Sequence, residues 1–565
     1  MELLEKHFDT AFAAPDGIQK LRELILTLAM QGKLVPQDPD DQPSSELLKA
    51  IEAEKQKLVK EGKIKKLTSL SEVKLKEMPY QLPKGWEWVR LGNYCYIFSG
   101  NAFKSEDFNS LGGTRAIKIT NAGVGKLIET SDFLPERFAV NYSDYQVREN
   151  DLVLALTRPY ISSGLKISIC PSNYDGALLN QRVAAIRPFK FFRFIFLFLS
   201  SPQVLCLYQA RFRGSGLQPN LKMGDVTDLL VPIPPLAEQH RIVAKIDRLM
   251  ARCDELEKLR GDRNQKRITI HTAALNRLLT AKESSDFSTA WRFITQHFGE
   301  LYSVKENVAE LRKAILQLAV MGKLVPQDPT DEPASELLKA IEAEKQKLVK
   351  EEKIKKTKIV TPIERSDVPF PLPDIWIWAR TEALCEVIVD CPHSTPIFTT
   401  SGFVCIDTNV FKNGALIPHK IRYVSEETYV ERIQRLVPQP GDVVFAREGS
   451  VGESVILPEE MNCCLGQRVM LFRLAQYVLP TYFRLALSER SSLSRLLDLH
   501  KGIGAKHVNV LDMRNALIPL PPLAEQRRIV AKIDQLMALC NRLEQQIDAA
   551  TSKRTELLNA LMAQV

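Results

Sequence analysis

The feature that most constrains this chain is an internal repeat. Residues 21–66 match residues 311–356 at a constant offset of 290, with 37 of 46 positions identical. A second repeat pairs Pro234-Pro235-Leu236-Ala237-Glu238-Gln239 with Pro521-Pro522-Leu523-Ala524-Glu525-Gln526, and both copies continue into Arg-Ile-Val-Ala-Lys-Ile-Asp. A period this long implies duplication of a domain-sized half rather than a solenoid. The 565 residues therefore read as two related halves, and at roughly 100–200 residues per domain they form about three to five folding units.

Between the repeated frames the halves diverge and share only a skeleton. Residues 80–232 and 368–519 each open on Leu-Pro-x-x-Trp-x-Trp (Leu82 to Trp88; Leu372 to Trp378). Each then carries an acid before an apolar strand (Asp151; Asp442), an Arg with a glycine-bearing loop (Arg158 to Gly164; Arg447 to Gly452), a Gln-Arg-Val strand (Gln181; Gln467) and a Gly-x-Gly loop (Gly214; Gly502). Scattered glycines and short β-branched runs predict mixed α/β domains of about 150 residues. A constant frame holding two different inserts implies one task performed on two targets. The expected partition is a helical N-terminal frame at 1–79, a variable domain at 80–232 and a central frame at 233–367. A second variable domain at 368–519 and a C-terminal helix at 520–565 complete it.

The frames read as helix. After Pro234-Pro235, Ile242, Ile246, Leu249, Cys253 and Leu256 recur at 4-3-4-3 spacing, and Ile529, Ile533, Leu536, Cys540 and Leu543 repeat the pattern. That is an a/d seam. It predicts two antiparallel coiled-coil helices of roughly 35–45 residues, about 50–65 Å long, joining and spacing the variable domains. Segments 45–66 and 335–356 are also expected to be helical, with Ser45 and Ser335 as N-caps and Leu47, Leu48, Ile51 and Leu58 as one stripe.

No catalytic or metal-binding pattern emerges. The Gly-Lys pairs lack the P-loop spacing, and the eight histidines do not fall at zinc intervals with acids or cysteines. The ten cysteines form no C-x-x-C pair, and a chain this long needs no disulfide staples, so a reducing compartment is expected. Phe212-Arg213-Gly214-Ser215-Gly216 fits a methyltransferase cofactor loop, but the partner signature [DNS]-P-P-[YFW] is missing. The first residues lack the charge and apolar run of a signal peptide. The run Phe194 to Leu199 is far shorter than the ~20 residues that span a bilayer. A cytoplasmic chain with no membrane contact is expected. The formal charge of +8 permits a polyanionic partner.

Two variable domains, each followed by Pro-Pro-Leu-Ala-Glu-Gln-x-Arg-Ile-Val-Ala-Lys-Ile-Asp, resemble the specificity subunit of a Type I restriction–modification system. The blocks containing Gly-Lys-Leu-Val-Pro-Gln-Asp-Pro resemble constant regions of one branch of that family. The resemblance covers nearly the whole chain. It implies that each variable domain is a target recognition domain reading one half of a bipartite sequence in double-stranded DNA. It also implies that the helices set the gap and dock two methyltransferase (modification) subunits, and that two restriction subunits can join. S-adenosylmethionine, ATP and Mg are then expected on those partners and no cofactor on this chain. The alternative is a non-catalytic coiled-coil adaptor with two protein- or glycan-binding domains.

Base readout needs Arg, Lys, Asn, Gln, Ser or Thr on groove-facing loops. The DNA-binding candidates in the first domain are Arg115, Lys118, Thr120, Asn121, Arg158, Lys166, Arg211, Arg213, Gln218 and Asn220. Those in the second are Thr408, Asn409, Arg447, Ser450, Lys501, Lys506, His507 and Asn509. Each could instead serve as a surface ion pair or loop cap. Gln181-Arg182 and Gln467-Arg468 could orient the sheet or touch DNA. Residues 81–232 hold 17 basic against 12 acidic side chains, and residues 371–519 hold 15 against 16. A near-neutral second domain implies basic groups segregated on one face, or phosphate contacts supplied by a partner.

Overall fold

A computed structural model describes residues 2–65, 70–212, 218–355, 361–489 and 507–564. The chain divides into two compact units, one of Met1–Gly261 with Thr551–Val565 and the other of Asp262–Ala550. Two long helices, Leu236–Thr280 and Leu523–Met562, each begin in one unit and end in the other. At 45 and 40 residues they measure about 68 and 60 Å.

Each variable domain is a closed excursion from its frame. In the first unit, entry strand Glu87–Arg90 pairs antiparallel with exit strand Leu230–Ile233, placing Trp88 opposite Pro232. In the second, Ile377–Arg380 pairs with Leu517–Leu520, placing Trp378 opposite Pro519. The exit strand leads through Pro-Pro directly into the long helix. Because entry and exit are zipped together, the residues between them can change without moving the frame.

Inside each excursion lies a larger sheet. The first has strand order Cys95–Ser99, Val183–Pro188, Leu152–Ala155, Ile167–Ile169 and Gly125–Lys126, antiparallel except for the last pair. The second has Cys385–Asp390, Val469–Leu474, Val443–Ala446 and Ser454–Ile456, all antiparallel. The central strands Leu152–Ala155 and Val443–Ala446 are wholly buried. The acid before each strand explains its recurrence. Arg187 donates to both oxygens of Asp151 at 2.8 and 2.6 Å, and Arg473 to both of Asp442 at 2.9 and 2.8 Å. These bidentate pairs lock the neighbouring strand from the side.

The repeated frame motifs converge on one buried carboxylate per unit. Glu238 accepts from Trp86 Nε1 at 2.9 Å and from Gln37 Nε2 at 2.7 Å. Glu525 accepts from Trp376 Nε1 at 2.8 Å and from Gln327 Nε2 at 2.6 Å. Both carboxylates are buried in the first turn of a long helix, where the helix dipole favours negative charge. Burial pushes both pKa values up, and the Trp and Gln donors pull them back. One turn on, Arg241 grips Asp41 at 3.1 and 2.6 Å, and Arg528 grips Asp331 at 3.2 and 2.6 Å. Gly32 and Gly322 sit at φ 70° and 68°, and a Cβ there would lie 2.4 and 2.5 Å from Pro83 and Pro373. Thus Gly-Lys-Leu-Val-Pro-Gln-Asp, Leu-Pro-x-x-Trp and Pro-Pro-Leu-Ala-Glu-Gln are parts of one joint.

The seam packs inside each unit against the frame's own helix. Ile242, Ile246 and Cys253, with Leu249 beside them, share a core with Ile25, Ala29 and Met30 of helix Gly17–Met30. Ile529, Ile533 and Cys540, with Leu536 and Leu543, share one with Ala314, Ile315 and Leu318 of helix Lys305–Val320. Arg22 reaches Asp254 and Glu257 at 2.6 and 2.9 Å, and Arg312 reaches Asn541 and Glu544 at 2.6 and 3.1 Å. Leu256, expected in the seam, is 48% exposed, because the packed stripe turns away beside the Arg22 ion pairs. The expected Ser caps are also displaced. Helices Ser44–Lys60 and Ala334–Lys350 start one residue earlier behind Pro43 and Pro333, and Ser44 Oγ donates to Ile233 C=O at 2.7 Å. The vicinal Cys463-Cys464 pair is buried in a strand, as packing residues would be. Among the described residues no single helix is long and apolar enough to cross a membrane, and the apolar run forms helix Phe192–Leu199.

Trp86→Phe removes a donor from a buried carboxylate, and the expected loss is about 1–3 kcal/mol in urea unfolding of the first unit. Trp376→Phe is expected to do the same in the second unit.

Candidate nucleic-acid interface

One end of the large sheet in the first variable domain gathers the exposed polar candidates. Beyond the paired strands, Leu156 N–H donates to Arg182 C=O at 2.9 Å and Ala155 N–H to Lys166 C=O at 3.0 Å. Strand Cys95–Ser99 finishes at the same end, where Gln181 N–H donates to Asn101 C=O at 3.0 Å. A second loop is tied there. Thr157 Oγ1 donates to Asn220 Oδ1 at 2.9 Å, and Arg158 N–H to Pro219 C=O at 2.9 Å. The sheet end therefore presents Arg158, Lys166, Gln181, Arg182, Gln218 and Asn220 together.

All of these but Lys166, which is half-buried, are exposed. Among the described residues, Arg158, Lys166 and Arg182 have no carboxylate partner. Arg158 holds φ 50°, a left-handed conformation uncommon for a side chain of this size. The Pro219 and Asn220 contacts hold it there. Local charge at this end is positive and the side chains are donor-rich, which suits phosphate oxygens and the acceptor atoms of purine edges.

The other first-domain candidates divide. Thr120 is exposed and lies near this end, since Asn180 N–H donates to Ile117 C=O at 2.9 Å. Lys118 is held by Asp132 at 2.6 Å and lies 4.9 Å above the Phe108 ring. Arg115 stacks between Tyr174 and Phe133 at 4.9 and 5.4 Å. Arg211 pairs with Asp225 at 2.5 Å. Asn121 leaves the candidate set. It is fully buried, its Oδ1 accepts from Lys118 N–H at 2.8 Å, and its Nδ2 donates to Ile128 C=O and Thr130 Oγ1. It clamps a turn. Arg213 lies outside the described residues.

The second domain repeats the backbone of this end but not its charge. Arg447 N–H donates to Arg468 C=O at 2.8 Å and Val508 N–H to Arg447 C=O at 3.0 Å. The equivalents are Leu156 to Arg182 and Leu221 to Leu156, at 2.9 and 2.7 Å. Arg447 therefore occupies the place of Leu156, and the counterpart of Arg158 is Gly449, at φ 71°. Sequence pairing of Arg158 with Arg447 is corrected by two residues. Arg447 is buried with Nε 3.3 Å from Asp390, so it is a structural ion pair rather than a groove-facing reader. Arg468 sits 3.2 Å from Glu448, and Gln467 Nε2 donates to His393 C=O at 2.8 Å. Ser450, Asn409, His507 and Asn509 are exposed and Thr408 is half-buried. Asn509 precedes helix Val510–Asn515, and Asn409 N–H donates to Asp407 at 2.9 Å. Lys501 and Lys506 lie outside the described residues, as do both Gly-x-Gly loops. The near-neutral count of this domain is thus reflected locally, in arginines neutralised by Asp390 and Glu448.

Known proteins match this chain in sequence along nearly its whole length. A family described as Type I restriction modification DNA specificity domain matches residues 83–264 and 399–551. The EcoAI specificity subunit of Escherichia coli is 32% identical over 96% of this chain and 93% of its own length. The chain belongs to the Type I restriction specificity-subunit family. The EcoEI specificity subunit, also of Escherichia coli, is 31% identical over the same shares. A solved HsdS subunit from Thermoanaerobacter tengcongensis aligns at 21% identity and TM-score 0.43, over 85% of this chain and 97% of that one. As a specificity subunit the chain recognises DNA sequence and is not the catalyst, and it works with modification and restriction subunits. Among the described residues no group of His, Cys, Asp and Glu could hold a metal ion.

Two of the clustered residues were open in sequence and one was missed. Gln181 and Arg182 could equally have braced the sheet, and Thr157 carried no signal of its own. Their shared place follows from strand register, which a single sequence does not display.

Arg158→Ala and Arg182→Ala are expected to weaken DNA binding through the first domain while leaving its melting temperature unchanged. A base contact costs about 1–3 kcal/mol at one base position. A phosphate contact instead weakens all sequences alike and lowers the salt slope by about one. Arg447→Ala is expected to act differently, destabilising its domain by about 1 kcal/mol through loss of the buried guanidinium's pairing with half-buried Asp390.

Proposed function

We propose that the chain reads a bipartite duplex sequence, one half-site per variable domain, with a nonspecific spacer between the halves. The partition is the one expected from sequence: frames at 1–79, 233–367 and 520–565, and readers at 80–232 and 368–519. The observation that carries this reading is the cluster of Arg158, Lys166 and Arg182, without carboxylate partners among the described residues, with Gln181, Gln218 and Asn220 at one sheet end. The exposed candidates Thr120, Asn409, Ser450, His507 and Asn509 and half-buried Thr408 extend the same role, with Lys501, Lys506 and Arg213 added. The long helices set the spacer length. Their lengths of about 60–68 Å correspond to roughly 18–20 base pairs at 3.4 Å each.

In this reading the long helices of the two frames dock two modification subunits, which carry S-adenosylmethionine and methylate an adenine in each half-site. Two restriction subunits with ATP and Mg add cleavage, all in the cytoplasm. Duplication of the frame supports two equivalent docking positions. The second reader, with its arginines paired internally, takes much of its phosphate grip from its partner.

Expressed with a cognate modification subunit in a methylation-free host, the chain should produce N6-methyladenine in one bipartite motif, on opposite strands of its two halves. Single-molecule sequencing reads this directly. A soluble complex that leaves no methylation and binds no duplex would overturn the reading in favour of the adaptor. Inserting one helical turn in both long helices is expected to lengthen the spacer without altering either half-site.

A further inference from the structure

The two frames are near-identical over 21–66 and 311–356 but diverge over 8–20 and 298–310, where the ends of the long helices pack. The ends do not dock alike. In the second unit, His271 Nε2 is hydrogen-bonded to the Tyr302 hydroxyl at 3.0 Å, and the rings meet edge-on at 5.0 Å. His271 is fully buried. The gapless offset of 287 between the two helices makes Leu558 its counterpart. The offset of 290 between frames makes Phe12 the counterpart of Tyr302. The frame equivalence is structural as well, since the Phe8–Phe12 and Phe298–Tyr302 rings meet at the same tilt, 46° and 44°, with centroids 4.6 and 4.5 Å apart. In the first unit, Leu558 and Phe12 share a purely apolar cluster.

We propose that the His271–Tyr302 and Leu558–Phe12 pairs are address labels that assign each long-helix end to its own frame. Like pairs fit. A His271 end on the first frame buries an imidazole against Phe12 with no hydroxyl to meet it. A Leu558 end on the second frame leaves the Tyr302 hydroxyl buried without a partner. Each mismatch strands a buried polar group without a hydrogen-bond partner. The frame adds a second polar grip. Asn307 Nδ2 donates to Leu301 C=O at 2.6 Å and approaches Arg267 C=O of the long helix at 3.5 Å. Its counterpart in the first frame is Gly17, where a Cβ would stand 2.2 Å from Phe12 C=O, so Asn cannot replace it without moving the chain. A second copy of this protein offers the same two ends, and the same labels admit each only at its matching frame.

The test relocates the label in the full-length chain. Leu558→His alone is expected to lower the melting temperature by several degrees and to speed hydrogen exchange in 551–562 while the rest of the unit stays protected. Adding Phe12→Tyr restores both. The reciprocal cycle, His271→Leu then Tyr302→Phe, loses and regains protection in 262–280. If Phe12→Tyr fails to rescue Leu558→His, the label is not read and the proposal falls. Should Leu558→His fail to fold, the second cycle decides: additive losses overturn the proposal, and recovery in the double variant supports it.

Discussion

Everything in this fold depends on a buried carboxylate at the start of a long helix. Glu238 and Glu525 each face an indole N–H and an amide N–H at 2.6–2.9 Å. A buried carboxylate is costly unless its lone pairs are met. Meeting them ties three distant segments to one point: the frame loop, the entry to the variable domain and the helix. The angle at which the helix leaves is thereby coupled to the domain it follows. The Arg241–Asp41 and Arg528–Asp331 pairs, one turn on, hold the same joint from outside.

This joint explains how one scaffold carries two unlike readers. The entry and exit strands pair with each other, so the variable domain returns to where it began. Its interior sheet is held by its own ion pair, Arg187–Asp151 or Arg473–Asp442. The exposed polar side chains take no part in either core, although apolar neighbours in the same loops, Leu156 and Leu221 among them, do. The sheet end can therefore exchange Arg158 for Gly449, or leave an arginine free in one domain and paired in the other, at little cost to the fold. The difference between the readers is electrostatic. Backbone hydrogen bonds at the sheet end are conserved between them, while the charges at that end are not.

Much of this was legible in the residues. The repeat announced the duplication, the 4-3-4-3 spacing announced the helices, and the motifs pointed to the family. Repeat comparison works there because frame positions are tied to one another and cannot drift. The candidate site was only partly legible. Asn121 looked like a reader because Asn is common at base edges, yet its amide is consumed by a turn. Arg447 looked like the partner of Arg158 because both follow an apolar strand. The hydrogen-bond register shifts the match by two residues, and a shift of register decides which side chains share a surface.

The sequence by itself determined the duplicated plan, the position and length of the long helices, the absence of familiar catalytic patterns and the family. These follow from local periodicity and from repeated motifs, both readable along one dimension. Tertiary structure alone decided which motifs meet, which arginines are free and which helix end fits which frame. The reason is that burial and hydrogen-bond satisfaction belong to contacts between segments distant in the chain, Trp86 with Glu238 at 152 residues and Arg22 with Glu257 at 235 among them, where single-chain spacing carries no signal.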